Sequence, residues 1–301
     1  MSRETEKIIK AMNKYIDENS DESTSQADID RLMQTFTQML NSGKIDVNDG
    51  PMDSDDYLDA AYSSSSVKEF TDNIKMALKL NPDNIDAEME LINVKNENMT
   101  TTLNKLEKLI KKAEGILEKD GITVEGDKGD FWGIIETRPY MRVRYTYLHG
   151  LIHANMLRPA IAEAEYLLEL CESDNLGVRY TLMMLYAVTG NVDEALKLHK
   201  KFNSREESGM LLPLAIAYFC NRDLNKSRSY LKRLKKVNAD TLKFFEMWRR
   251  REIYRYMEDG AYLEGYRMGT LEDLCTNFDA FVKYMPVLGS FVDWGYEQVK
   301  R

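Results

Sequence analysis

The chain has 301 residues, 43% apolar and 30% charged. It can bury a sizeable core, and no run approaches the about 18 apolar residues that a membrane helix needs. Its net charge of −9 is uneven: residues 1–60 hold 14 acidic and 6 basic side chains, whereas residues 222–255 hold 12 basic and 4 acidic. The acidic end argues against general nucleic-acid binding, while the basic stretch leaves a local site open.

The opening MSRETEKIIK lacks the apolar core of a signal peptide, so the expected compartment is the cytoplasm. Ile8, Ile9, Met12 and Ile16 place a first amphipathic helix at about 3–18. The polar segment 17–28 reads as a loop ending in a capping serine or aspartate. Leu32, Met33, Phe36 and Leu40 mark a second helix, and 41–56 reads as a linker.

From residue 57 helices come in pairs. Residues 57–84 read as two helices broken at the serine run, and 84–118 as a second, degenerate pair. Residues 119–139 interrupt the series with a glycine- and acid-rich insertion ending in an aromatic, charged cluster. The pairs then resume, each second helix opening near a small residue: Ala160, Ala195 and Ser227, spaced by 35 and 32 residues. That period is the mark of stacked helical hairpins, no one of which can bury its own apolar face. Residues 240–301 read as a helical cap. The six prolines fall at expected helix starts or connections.

The run Ala77-Leu78-Lys79-Leu80-Asn81-Pro82, and the second-helix start Asp193-Glu194-Ala195-Leu196 after Gly190, resemble the tetratricopeptide repeat. The segments Asp130-Phe-Trp-Gly-Ile-Ile-Glu-Thr-Arg-Pro-Tyr-Met-Arg and Asp174-Asn-Leu-Gly-Val-Arg179 are similar to a largely uncharacterised group of such proteins. The resemblance implies an all-α, α-α superhelix, and it carries no activity. The expected organisation is an acidic helical extension (1–56), a TPR-like solenoid (57–239) and a C-terminal helical cap (240–301).

No nucleophile elbow, phosphate loop or dinucleotide fingerprint is present. His149 and His153 share a helix face at i, i+4 but lack the intervening glutamate of a zinc hydrolase. Cys171, Cys220 and Cys275 are isolated and expected to be reduced thiols. The expectation is a non-enzyme with no cofactor or metal.

Aligning the repeats puts first-helix side chains on a concave face. Tyr145, His149, Tyr180, Met184 and Phe219 then line a groove, with Arg142, Arg144 and Arg179 near its edge. Arg144-Tyr145 and Arg179-Tyr180 recur 35 residues apart, as a ladder would require. The groove is either a site for a protein or peptide, or core covered by the C-terminal helices. Trp132, Glu136, Arg138 and Tyr140 form either an anion or peptide-terminus site, or a structural cluster in which Glu136 pairs with Arg138 or neighbouring repeats. The expected function is a protein- or peptide-binding scaffold. The alternative is an RNA- or ribosome-associated adaptor using 222–255, with Trp and Tyr as stacking partners, although an ordinary solvated helix face explains the same charges.

Overall fold

The computed structural model describes residues 3–21, 23–47, 51–260 and 267–301. Among them the regular structure is helical. No strand occurs, and the only extended pairing is a pair of isolated bridges from Gly129 and Asp130 to Cys171. The chain divides into two units: residues 1–127 with 131–143, and residues 128–130 with 144–301.

Unit 1 begins with α1 (Arg3–Asn19) and α2 (Gln26–Asn41). The expected loop shortens to a few residues, Glu22 lying outside the described ones. Ser25 caps α2 by accepting from the Asp28 amide. Of the expected linker, residues 48–50 lie outside the described residues, and its end is already helical. There α3 (Ser54–Tyr62) starts under a capping box in which Asp53 and Asp56 exchange side-chain and backbone bonds. Next come α4 (Val67–Leu80), α5 (Ile85–Val94) and α6 (Met99–Lys119), each opened by a side-chain cap: Ser66, Asn84 and Asn98. Such a cap contributes about 1 kcal/mol. Consecutive helices pack from α3 to α6 around Leu58, Ala61, Ile74, Ala77 and Ala87. The short α7 (Val124–Asp127) follows.

Helix α8 (Arg138–His153) carries the chain into unit 2, the division falling between Val143 and Arg144. The unit continues with α9 (Leu157–Leu170), α10 (Val178–Thr189), α11 (Val192–Lys201), α12 (Ser208–Cys220) and α13 (Leu224–Val237). Ala160, Ala195 and Ser227 are fully buried at their second helices. The Ser227 hydroxyl donates to the Ala215 carbonyl at 2.7 Å, so α12 and α13 touch through a small residue. Gly190 ends α10 at φ +75°, a conformation that costs a residue with a Cβ about 1 kcal/mol or more. Pro213 departs from expectation by sitting inside α12. Its missing amide would have served the Gly209 carbonyl, and the helix survives because Ser208–Tyr218 are all buried. Pro286 likewise lies inside a 3-10 helix.

The tail comprises α14 (Thr241–Arg249), α15 (Glu252–Glu258), α16 (Leu271–Phe278), the 3-10 helix Asp279–Leu288 and α17 (Gly289–Lys300). It does not stack only beyond α13. Helix α16 packs on α10, α12 and α14, and α17 packs on α12, α13 and α14. Phe244, Phe245, Trp248, Phe278 and Phe291 form its aromatic core, with ring centroids 5.1–6.3 Å apart. A buried polar clasp fixes α16. The Asp273 carboxylate accepts from the Ser208 hydroxyl at 2.6 Å and the Gly269 amide at 3.0 Å, and Asn238 donates to Ser208 at 3.0 Å.

Candidate binding site

The arginines of the expected groove edge are all engaged. In unit 1 the Arg142 guanidinium donates to both carboxylate oxygens of Asp86, at 2.8 and 2.6 Å, and to Glu6 at 2.9 Å. These anions hold its pKa above the usual arginine value despite opposing burial, the largest single effect. In unit 2 Arg144 grips Glu163 through two bonds of 2.7 and 2.9 Å and lies 4.1 Å over the Tyr166 ring. Arg179 repeats the motif: its guanidinium lies 5.4 Å over Phe202 and 4.2 Å over Tyr180, and it pairs with Asp174 at 2.8 Å. The recurrence is therefore of packing, an arginine of a first helix laid over an aromatic ring of, or just after, its second.

The aromatic, charged cluster is built inward. Trp132, Arg138 and Tyr140 are buried. The Arg138 Nε donates to the Trp132 carbonyl at 2.9 Å and its Nη1 reaches Glu6 at 3.4 Å, while the Thr137 hydroxyl donates to the Phe131 and Ile134 carbonyls. The Tyr140 hydroxyl donates to Glu114 at 2.8 Å. The acid facing Arg138 is thus Glu6, from the first helix, and Glu136 is exposed. An arginine this deeply enclosed needs a partner more than 130 residues away in sequence, which local pattern does not reveal.

The face expected to be concave is covered where α10 and α12 meet the tail. Met184 is fully buried. Phe219 packs against Phe291 and Trp294 of α17, at centroid distances of 5.4 and 5.1 Å. Met184 is core, and Phe219 is half-buried against the tail, which supplies apolar surface that their helices require.

Tyr145, His149 and Tyr180 have a different setting. They line a cavity of 340 Å³ whose other walls are Asn175–Gly177, Thr181 and, from the tail, Thr276, Asn277 and Asp279–Phe281. The second segment singled out in the sequence builds one wall. Gly177 turns the chain at φ +69°, and the Asp174 carboxylate then accepts from the Val178 and Arg179 amides at 2.7 and 3.2 Å. Gly209 lets the helices close up: a Cβ there would stand 2.5 Å from the Tyr180 ring and 2.3 Å from Asn277 Oδ1. The tail wall is tied to the end of α8. Lys283 donates to the His153 carbonyl at 2.8 Å, and the Tyr284 hydroxyl donates to Asn155 at 2.8 Å. A cation at a helix C-terminus is favoured by the helix dipole.

Inside the cavity, the His149 ring meets Tyr145 edge-on with centroids 4.5 Å apart. Its Nε2 is buried without a hydrogen-bond partner. Burial lowers its pKa below the ordinary 6.5; Asp279 opposes the shift and His153 adds to it. The imidazole is therefore neutral at pH 7, and its unpartnered Nε2 is enclosed by protein atoms. Tyr180 donates to Glu207 at 2.6 Å, and burial with that carboxylate raises its pKa to about 12. His153 is exposed. Among the described residues, no three of His, Cys, Asp and Glu are placed to hold one metal ion.

The basic segment is tied down in part. Arg228 donates to Gln298 at 2.8 Å, Lys235 to the Val299 carbonyl at 2.6 Å, and Arg233 pairs with Glu206. Tyr230 stacks on Tyr218 at 5.5 Å, and Trp248 is buried in the aromatic core. None of the described helices is long and apolar enough to cross a membrane. No protein-family model matches the chain, and no curated protein is similar enough in sequence to rank as a relative.

Proposed function

We propose that the chain is a non-catalytic scaffold, a TPR-like superhelix that binds a peptide of another protein. Its binding point is the cavity of Tyr145, His149 and Tyr180. One observation carries the reading: a neutral imidazole with an unpartnered buried nitrogen, on the wall of an aromatic cavity. An unmet polar atom of this kind costs about 1–3 kcal/mol, so a ligand whose entry shifts the imidazole and completes its hydrogen bonding gains affinity there. The volume of 340 Å³ lies at the lower end of ligand pockets, about 300–1,000 Å³. It suits one side chain or chain end, the rest of the peptide lying outside. Tyr145, Tyr180 and Phe281 supply the rigid aromatic area on which peptide anchors usually rest.

The test is selection from a random-peptide library on the wild-type protein and on Ala280→Trp, which places an indole in the cavity. Peptides enriched on the first and not on the second support the reading. Equal enrichment on both, or none, contradicts it. The RNA-adaptor reading has less support, since Trp248 is buried in the aromatic core, Tyr230 stacks on Tyr218, and the basic side chains are partly paired.

A further inference from the structure

Unit 1 contains a second concavity, of 570 Å³, that shares no residue with the first. Its surface is apolar at Leu80, Met52, Leu117 and Pro139. Leu80 and Met52 are 51% and 48% exposed. Single exposed apolar side chains are ordinary, but two lining one concavity beside a buried leucine make a patch that a partner can cover.

The rim is acidic. Asp55 accepts from Lys10 at 2.7 Å, and Asp83 pairs with Lys112 at 3.4 Å. Glu136 is exposed, and no described residue pairs with it. The wider field has the same sign. Unit 1 carries 28 acidic and 17 basic side chains, a net −11, whereas the remaining residues carry 22 and 24, a net +2. A field of that sign draws cationic segments towards unit 1 and repels acidic ones.

We propose that this groove docks a basic amphipathic segment of a partner protein, lysines or arginines flanking a large aliphatic or aromatic anchor. The anchor covers Leu80, Met52 and Leu117, and the cations meet Glu136, Asp83 and Asp55. The surface is independent of the cavity reading and can fail or stand without it.

The experiment titrates the full chain with three fluorescent synthetic peptides of one length: lysine–leucine, glutamate–leucine and lysine–serine. Only the lysine–leucine peptide is expected to bind, more weakly as salt rises, because exposed charges are screened. Leu80→Lys with Glu136→Lys is expected to weaken it about tenfold. Both residues are exposed, so the fold is retained, and circular dichroism checks this. Asp193→Lys with Glu194→Lys, on α11, and Ala280→Trp, in the cavity, are expected to leave binding unchanged. Equal binding to the groove and α11 variants, equal binding of the serine peptide, or no binding of the leucine peptide overturns the proposal.

Discussion

Tyr145 and His149, one turn apart on α8, meet edge to face at 4.5 Å, and the imidazole Nε2 beyond that contact has no partner. The pair lies on a wall of a cavity closed by the chain's own tail. That relationship makes the tail part of the site as well as a cap.

The first prediction follows from the depressed pKa of His149. A base whose folded pKa is lowered holds fewer protons in the folded than in the unfolded chain. Its contribution to stability therefore falls as pH drops below the unfolded value of 6.5. Asp279, His153 and Tyr145 surround it in both proteins, so a difference measurement isolates the effect. In urea denaturation, His149→Phe should be about 1 kcal/mol more stable than wild type near pH 8. Its advantage should widen at pH 5. An advantage that shrinks on acidification would show that the imidazole is charged when folded.

A second prediction concerns the ion network of unit 1. Asp86→Ala leaves Arg142 with Glu6 alone and should destabilise the unit by about 3 kcal/mol. Asp72→Ala on α4, whose partner Lys68 is exposed, should change stability by less than about 0.5 kcal/mol. Thermal unfolding of both variants checks the contrast.

Much of the helical pairing is written locally. Ser66, Gly190 and the buried Ala160, Ala195 and Ser227 announce ends and close crossings through their own backbone needs. What covers the first-helix face is not local. Met184 and Phe219 are apolar whether a partner or the tail packs on them, so their spacing reads the same in both cases. Glu6 is one of many acids on an amphipathic first helix, and nothing near it signals that it faces Arg142, 136 residues on. The cavity is legible only in part. Tyr145, His149 and Tyr180 follow from repeat alignment, whereas Asn277, Asp279 and Phe281 reach it only because the tail folds back.

A third prediction tests the clasp that holds the tail. Asp273→Ala removes the acceptor for Ser208 and Gly269 and should cost about 2 kcal/mol. Amide exchange should rise first in residues 267–288, because α16 and the 3-10 helix lose their anchor. Uniform faster exchange through α10 and α12 would show instead that the tail and these helices unfold as one.

Phe219→Ala provides a fourth. The half-buried side chain packs against Phe291 and Trp294, so the change should cost about 1–2 kcal/mol and leave peptide affinity at the cavity nearly unchanged. Loss of affinity with full stability would return this residue to a binding surface.

The central claim is that a peptide enters the cavity of Tyr145, His149 and Tyr180. The most direct measurement is calorimetric titration of one library-selected peptide into wild type, His149→Phe and Gly209→Ala. The last forces a methyl group against the Tyr180 ring and Asn277, narrowing the cavity from outside its lining. The account predicts tight binding to wild type, about tenfold weaker binding to His149→Phe through one lost hydrogen bond, and a larger loss with Gly209→Ala. Unchanged affinity in both variants, each still helical and cooperatively folded, would contradict it.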